Sequence, residues 1–176
     1  EIQLDVQTGW LKFLLLNIKI KYPEEISILN TYPDLLKLMY QYDFSLEQNQ
    51  SNELIANYKG VRFHVSSSNS IYIFKEVFIK KCYNFHLAEP TVVFDVGLNI
   101  GLTSLFFSQN EHVFQIYSFE LFEQTANMAR ENRALNSKGI EKIKIFDYGL
   151  SNANRKAKMK YSPDFHSVNS STGINL

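Results

Sequence analysis

The apolar and polar positions of this chain follow two rhythms, one before and one after its midpoint. In the first fifty residues the apolar positions read as helical. "GWLKFLLLNI" sets Trp10, Phe13 or Leu14, and Asn17 at helix spacing, with further leucines widening the face. Pro23 and Pro33 interrupt this pattern, and "DLLKLMYQY" restarts it with Leu35, Leu36, Met39 and Tyr40 on one stripe. The polar stretch 45–53 reads as a linker or loop. In "ANYKGVRFHV" the residues Val61, Phe63 and Val65 alternate with polar ones behind a turn at Gly60, predicting a short hairpin. "IYIFKEVFIKKCYNF" places Ile73, Phe74, Val77, Phe78 and Cys82 at helical spacing.

From Thr91 onward strands and helices alternate. "TVVFDV" is a continuous apolar run, as expected of a strand buried on both faces. "GLTSLFFSQ" predicts a short helix turning Leu102, Leu105 and Phe106 to the sheet. "VFQIYSFE" is the next strand, "EQTANMARENRALN" the next helix, and "KIKIFDYGL" a third strand with Ile143 and Ile145 on one face. This order predicts an α/β fold, a Rossmann-like doubly wound parallel sheet with right-handed crossovers. Residues 1–52 read as a helical N-terminal extension and 53–176 as the domain carrying the first part of that sheet.

Composition narrows the partners. Eighteen basic and eighteen acidic side chains balance, so no global charge draws the chain to nucleic acid or to an anionic membrane. The longest apolar region, residues 10–20, is too short to span a membrane and is broken by Lys12, Asn17 and Lys19. Cys82 is the single cysteine; it reads as a small packed hydrophobe, and its isolation suits a reducing, cytoplasmic setting. The sequence opens on Glu1 and ends just after the polar run "HSVNSSTGIN", with half a parallel sheet counted. A bare first strand would leave backbone groups unpaired. The expectation is therefore either a longer natural protein or a homo-oligomer covering the incomplete sheet.

The chemistry concentrates in "VFDVGLNIGLTSLFF". Its glycines, Gly97 and Gly101, sit where a strand passes into a helix, the place where open parallel sheets bind ligands. Asn99 stands where a dinucleotide loop has its second glycine, and Asp95 adds a negative charge at the strand end. A carboxylate there repels a pyrophosphate and suits a cationic ligand such as S-adenosylmethionine (SAM). Glu120 ends the next strand, twenty-three residues after Gly97. That is close to the roughly 20-residue spacing at which an acid meets a ribose diol. It suits NAD and SAM alike, and the loop favours SAM.

The run "VVFDVGLNIGLTSLFF…IYSFELF…ENRALN…IKIFDYGLSN" resembles the FkbM family of SAM-dependent methyltransferases. The likeness covers residues 58–175 and rests on a D-x-G-x-N-x-G loop followed by a strand ending in F-E. It implies that Asp95, Gly97, Asn99 and Gly101 hold the methionine side of the cofactor and Glu120 its ribose. By position, Asp147 and Tyr148 fall near the adenine. It further implies O-methylation of a hydroxyl on a small-molecule or saccharide acceptor. Leu98, Leu121 and Asn152 depart from the family's usual alanine, proline and aspartate.

Plainer roles compete at single residues. Asp95 could cap the following helix, and Glu76 could be a surface acid rather than a neighbour of the pocket. His64, His86, His112 and His166 show no metal-ligand spacing. "DFH" at Asp164 and His166, and the stripe Lys156, Lys158 and Lys160, read as a polar loop and a solvated face. No general base stands out. Two alternative functions remain, a NAD-dependent oxidoreductase and a non-catalytic SAM-binding module.

Overall fold

The computed structural model describes residues 2–14, 16–21 and 26–153. Two compact units form, one from Glu1–Cys82 with Asn132–Asn136, the other from Tyr83–Glu131 and Ser137 onward.

The first unit opens with β1 (Ile2–Asp5), β2 (Trp10–Phe13) and β3 (Ile18–Lys21), an antiparallel meander where a helix is expected. Leu11, Phe13, Ile18 and Ile20 are buried while Lys12 is exposed, so the working period is two and not 3.6. Asn17, with φ of 52°, makes the β2–β3 turn in the left-handed conformation that asparagine tolerates. The leucines of that turn imitate a helical stripe in sequence.

Helix α1 (Tyr32–Gln41) forms as expected, with Pro33 in its first turn where no backbone donor is lost. Its buried side is Leu35 and Leu38; Tyr40, expected on the apolar stripe, is 90% exposed.

The polar stretch read as a linker contains β4 (Phe44–Gln48), which pairs antiparallel with β5 (Leu54–Tyr58). Gln48 explains the misreading. Its amide accepts from the Lys19 N–H (3.1 Å) and donates to the Lys19 carbonyl (2.6 Å), standing in for a strand partner of β3. The expected hairpin is present as β5 and β6 (Val61–His64), joined through Lys59 and Gly60, both at positive φ as a tight hairpin requires. Asn132 and Asn136 serve β6 as Gln48 serves β3. Asn132 accepts from the His64 N–H (2.7 Å), and Asn136 both accepts from and donates to the Arg62 backbone (2.8 Å each). Amide side chains thus close two sheet edges that would otherwise invite pairing.

Helix α2 (Ser68–Phe74) continues into a π-helical turn at Lys75–Ile79, burying Ile73, Phe74, Val77 and Phe78 as expected. The Phe74 ring lies 5.1–5.5 Å from the rings of Phe44, Tyr58, Phe63 and Phe78. Cys82 falls beyond this helix and is exposed, not packed, because the helical period stops short of it. Its thiol faces the Glu76 carboxylate at 3.4 Å. Desolvation first, then the hydrogen bond to Glu76 and that group's charge, raise its pKa, which opposes a nucleophilic role.

The second unit holds the alternating pattern: β7 (Thr91–Val96), α3 (Leu102–Ser108), β8 (Val113–Phe119), α4 (Glu123–Ala134) and β9 (Ile143–Phe146). The three strands form a parallel sheet in the order β7-β8-β9. The chain is thus a mixed α/β protein, with one parallel and two antiparallel sheets among the described residues.

Asp95, Ile116, Ser118 and Ile143 lie on the face that meets α3, whose Leu102 and Leu105 are buried. The opposite face is open along β7: Phe94 is 64% and Val96 62% exposed. The expectation of a first strand buried on both faces therefore fails. Phe94 stacks on Tyr117 (5.4 Å) and Phe119 on Phe146 (5.2 Å), an aromatic ladder covering the sheet with its own rings.

Just before β9, Lys142 donates to the Asn110 (2.9 Å) and Ser108 (3.3 Å) carbonyls, placing a cation at the C-terminal end of α3. Among the described residues, no helix is long and apolar enough to cross a membrane.

Candidate functional site

Strand β7 leaves the sheet through the loop 97–101, and the backbone there explains the sequence pattern. Gly97, Asn99 and Gly101 have φ of 84°, 54° and 85°, so every second residue is left-handed. Glycine takes that conformation without strain, and asparagine is the side chain that tolerates it best. Between them Leu98 and Ile100 point inward, 2% and 3% exposed, and pin the loop to the core. Leu98 is therefore an anchor of the loop.

Gly101 starts α3 against α4. A Cβ at this position would stand 3.0 Å from the Ala129 Cβ. At Gly97 the same atom would meet nothing within 4 Å. One glycine serves packing; the other keeps a space open at the strand end.

The N–H groups of this loop decide what it can bind. Those of Gly97 (2.9 Å) and Leu98 (3.0 Å) donate to the Phe119 carbonyl. Asn99 donates to Glu120 Oε2 at 2.9 Å, Ile100 to the Asn99 side chain at 2.8 Å, and Gly101 to the Leu98 carbonyl at 3.0 Å. All five are occupied within the chain. A pyrophosphate cradle needs free N–H groups converging on the anion; here the Glu120 carboxylate already takes the central one.

Glu120 is 8% exposed and sits just past β8, fixed by its own N–H to the Phe146 carbonyl (3.0 Å). Its second oxygen accepts from the Phe122 N–H at 3.0 Å. Each carboxylate oxygen keeps a further lone pair, so the group can still receive hydroxyl donors.

Asp95 turns its carboxylate into the sheet–helix interface, where Oδ2 accepts the Ser104 hydroxyl at 2.6 Å. Burial chiefly, with the Glu120 charge adding to it, raises its pKa, while the Ser104 hydrogen bond pulls it back. The plainer role of capping α3 is met in part: the N-cap is Gly101, and the Asp95 carboxylate bonds the Ser104 backbone N–H in the first turn of the helix.

The other sequence candidates spread out. Asp147 lies just past β9, ion-paired to Arg130 of α4. Tyr148 follows it, 51% exposed, its ring 5.7 Å from Phe119 and 5.6 Å from Phe146, at the end of the aromatic ladder. Glu76 is engaged locally with Lys80 and Cys82. Among the described residues no three His, Cys, Asp or Glu side chains gather as a metal site. The DFH pair and the Lys156, Lys158 and Lys160 stripe lie outside the described residues.

Ser104 and Ser118 carried no signal in the sequence; only the fold brings these two serines to Asp95. A cleft of about 770 Å³ opens at the other ends of the strands, lined by His86, Ser108, His112, Lys138 and Lys142 among others. It includes none of the predicted residues, and parallel sheets bind ligands at the opposite pole.

Two curated proteins are similar to part of this chain at a distance. The methyltransferase sdnD of Sordaria araneosa is 28% identical over 103 residues, covering 58% of this chain and 39% of its own length. The AMB antimetabolite synthetase AmbE of Pseudomonas aeruginosa is 30% identical over 97 residues, 53% of this chain and 4% of the synthetase. The chain thus spans well under half the length of either relative. No family model matches it. The comparisons support a distant likeness to a methyltransferase and nothing finer.

Proposed function

We propose that the second unit is the cofactor-binding part of a SAM-dependent methyltransferase of the FkbM type. The observation that carries this reading is the loop whose five N–H groups are all spent internally, bordered by two carboxylates. Such a pocket repels phosphate and attracts a ligand with a cationic end and a diol.

The residues fit SAM. The space at Gly97 admits a ligand, Asp95 and Glu120 offer negative charge, and Tyr148 offers an open aromatic ring at the edge. In this reading Asp95, Gly97, Asn99 and Gly101 hold the methionine end, Glu120 takes the ribose hydroxyls, and Asp147 and Tyr148 border the adenine. SAM supplies a methyl carbon already activated toward displacement. The chain's own work is therefore to bind, orient and exclude water, which is where alignment yields rate. The resemblance points to a hydroxyl acceptor on a sugar or small metabolite. The relative named as a methyltransferase supports the reaction class.

Ultraviolet cross-linking with methyl-labelled SAM tests the reading. Labelling competed by S-adenosylhomocysteine and not by NADH is expected. Labelling indifferent to S-adenosylhomocysteine would refute it.

A further inference from the structure

Behind the loop, two buried serines and the half-buried Asp95 form a line. Ser118 on β8 is wholly buried, and its Oγ lies 2.8 Å from Ser104 Oγ on α3, itself 1% exposed. Ser104 Oγ in turn lies 2.6 Å from Asp95 Oδ2. The direction of this line follows from counting protons. Ser104 has one hydroxyl proton, and a short contact to a carboxylate oxygen uses it. The Ser118–Ser104 contact must then be made by the Ser118 proton. Among the described residues Ser104 is the only partner of the Ser118 hydroxyl.

The line therefore runs Ser118 to Ser104 to Asp95 and cannot reverse without stranding a buried hydroxyl proton, at a cost comparable to a lost hydrogen bond. Chains of this kind strengthen one another in a low-dielectric interior. Oδ2 accepts the relay, and the Ser104 backbone N–H bonds the same carboxylate, so Ser104 holds it through two donors. Glu120 is the one charged group acting on Asp95 among the described residues; α3 contributes only Ser104 and β8 only Ser118.

We propose that Ser104 and Ser118 are positioning residues of the cofactor site, holding the Asp95 carboxylate ionised and oriented for the ligand's ammonium group. The assignment rests on the SAM reading and deepens it. No residue type in the sequence announces it. The relay pulls the Asp95 pKa down against the burial and the Glu120 charge that raise it, and so favours the ionised form that a cation needs.

Titration calorimetry of this chain with S-adenosylhomocysteine, across pH 5 to 8, provides the test, alongside carbon NMR of the Asp95 carboxyl. Ser104→Ala is expected to lower affinity about tenfold or more near neutrality, the scale of one charge-assisted hydrogen bond. It is also expected to move the acid loss of binding, and the Asp95 titration, to higher pH. Ser118→Ala shifts both in the same direction by less. Ser104→Thr, which keeps the hydroxyl, retains both and shows that the site still folds.

An affinity loss with an unmoved pH profile and an unmoved Asp95 titration would overturn the relay, as would equal losses in the Ala and Thr variants. Absence of S-adenosylhomocysteine binding by the unaltered chain would instead remove the SAM reading, and the positioning role with it.

Discussion

A methyl group added at Gly101 and one added at Gly97 meet different surroundings, and the contrast separates the packing role of the loop from its binding role. Both positions are left-handed, with φ of 85° and 84°, so alanine at either carries a strain of about 1–2 kcal/mol. At Gly97 that is the whole penalty, since nothing lies within 4 Å. At Gly101 the new Cβ stands 3.0 Å from the Ala129 Cβ and 3.3 Å from its Cα. Backbone cannot give way as a flexible side chain can, so α3 and α4 must part slightly, adding roughly 1–3 kcal/mol of overpacking. Urea denaturation at unchanged m-value should therefore show Gly101→Ala costing about 2–5 kcal/mol and Gly97→Ala about 1–2 kcal/mol. Pairing Gly101→Ala with Ala129→Gly should recover part of the difference, less about 1 kcal/mol for glycine within α4. S-adenosylhomocysteine affinity should rank the other way relative to stability, with Gly97→Ala losing binding while still folded. Equal destabilisation by the two alanines, or no recovery in the pair, would refute the division of roles.

Three further outcomes follow from the same geometry. Gly139→Ala would drive a Cβ to 2.3 Å from the Ser108 carbonyl oxygen at a φ of 74°, and should cost about 3 kcal/mol or more, or prevent folding, as read by thermal melting. Asn136→Ala removes both bonds to the Arg62 backbone and leaves that strand edge unpartnered there, a loss of about 2 kcal/mol measurable in urea. Asp95→Asn should protect the fold while weakening the ligand. The folded-state pKa of Asp95 is raised, so the native chain binds its proton more tightly than the unfolded one, and stability falls as pH rises through that interval. The variant's advantage in melting temperature should accordingly be absent in acid and grow toward neutrality. A constant advantage at all pH would contradict the buried, raised carboxylate.

How much of this was written legibly in the sequence varies by element. The alternation from Thr91 to Phe146 was readable because continuous apolar runs, short amphipathic helices and the glycine spacing all agree. The loop was readable for a reason the backbone now supplies: Gly97, Asn99 and Gly101 are the residues of left-handed conformation. The N-terminal meander was not. Its strands are four residues each, too short to display period two against the run of leucines between them in the sequence. Nor could β4 be seen, since Gln48 occupies a strand position for the hydrogen bonds of its amide, which hydropathy does not register. At the site, Asp95 and Glu120 stand out as charges at strand ends. Ser104 and Ser118 become visible only when β7, β8 and α3 are brought together. The Arg130–Asp147 pair is equally silent, because it joins residues seventeen apart on a helix and a loop.

The most direct measurement is a calorimetric titration of this chain with S-adenosylhomocysteine and, separately, with NADH. A loop with its N–H groups spent and two carboxylates beside it should bind the first and not the second. Glu120→Gln, which keeps an oxygen for the Asn99 N–H, should weaken that binding by about tenfold or more. NADH binding without S-adenosylhomocysteine binding would contradict the account at its centre.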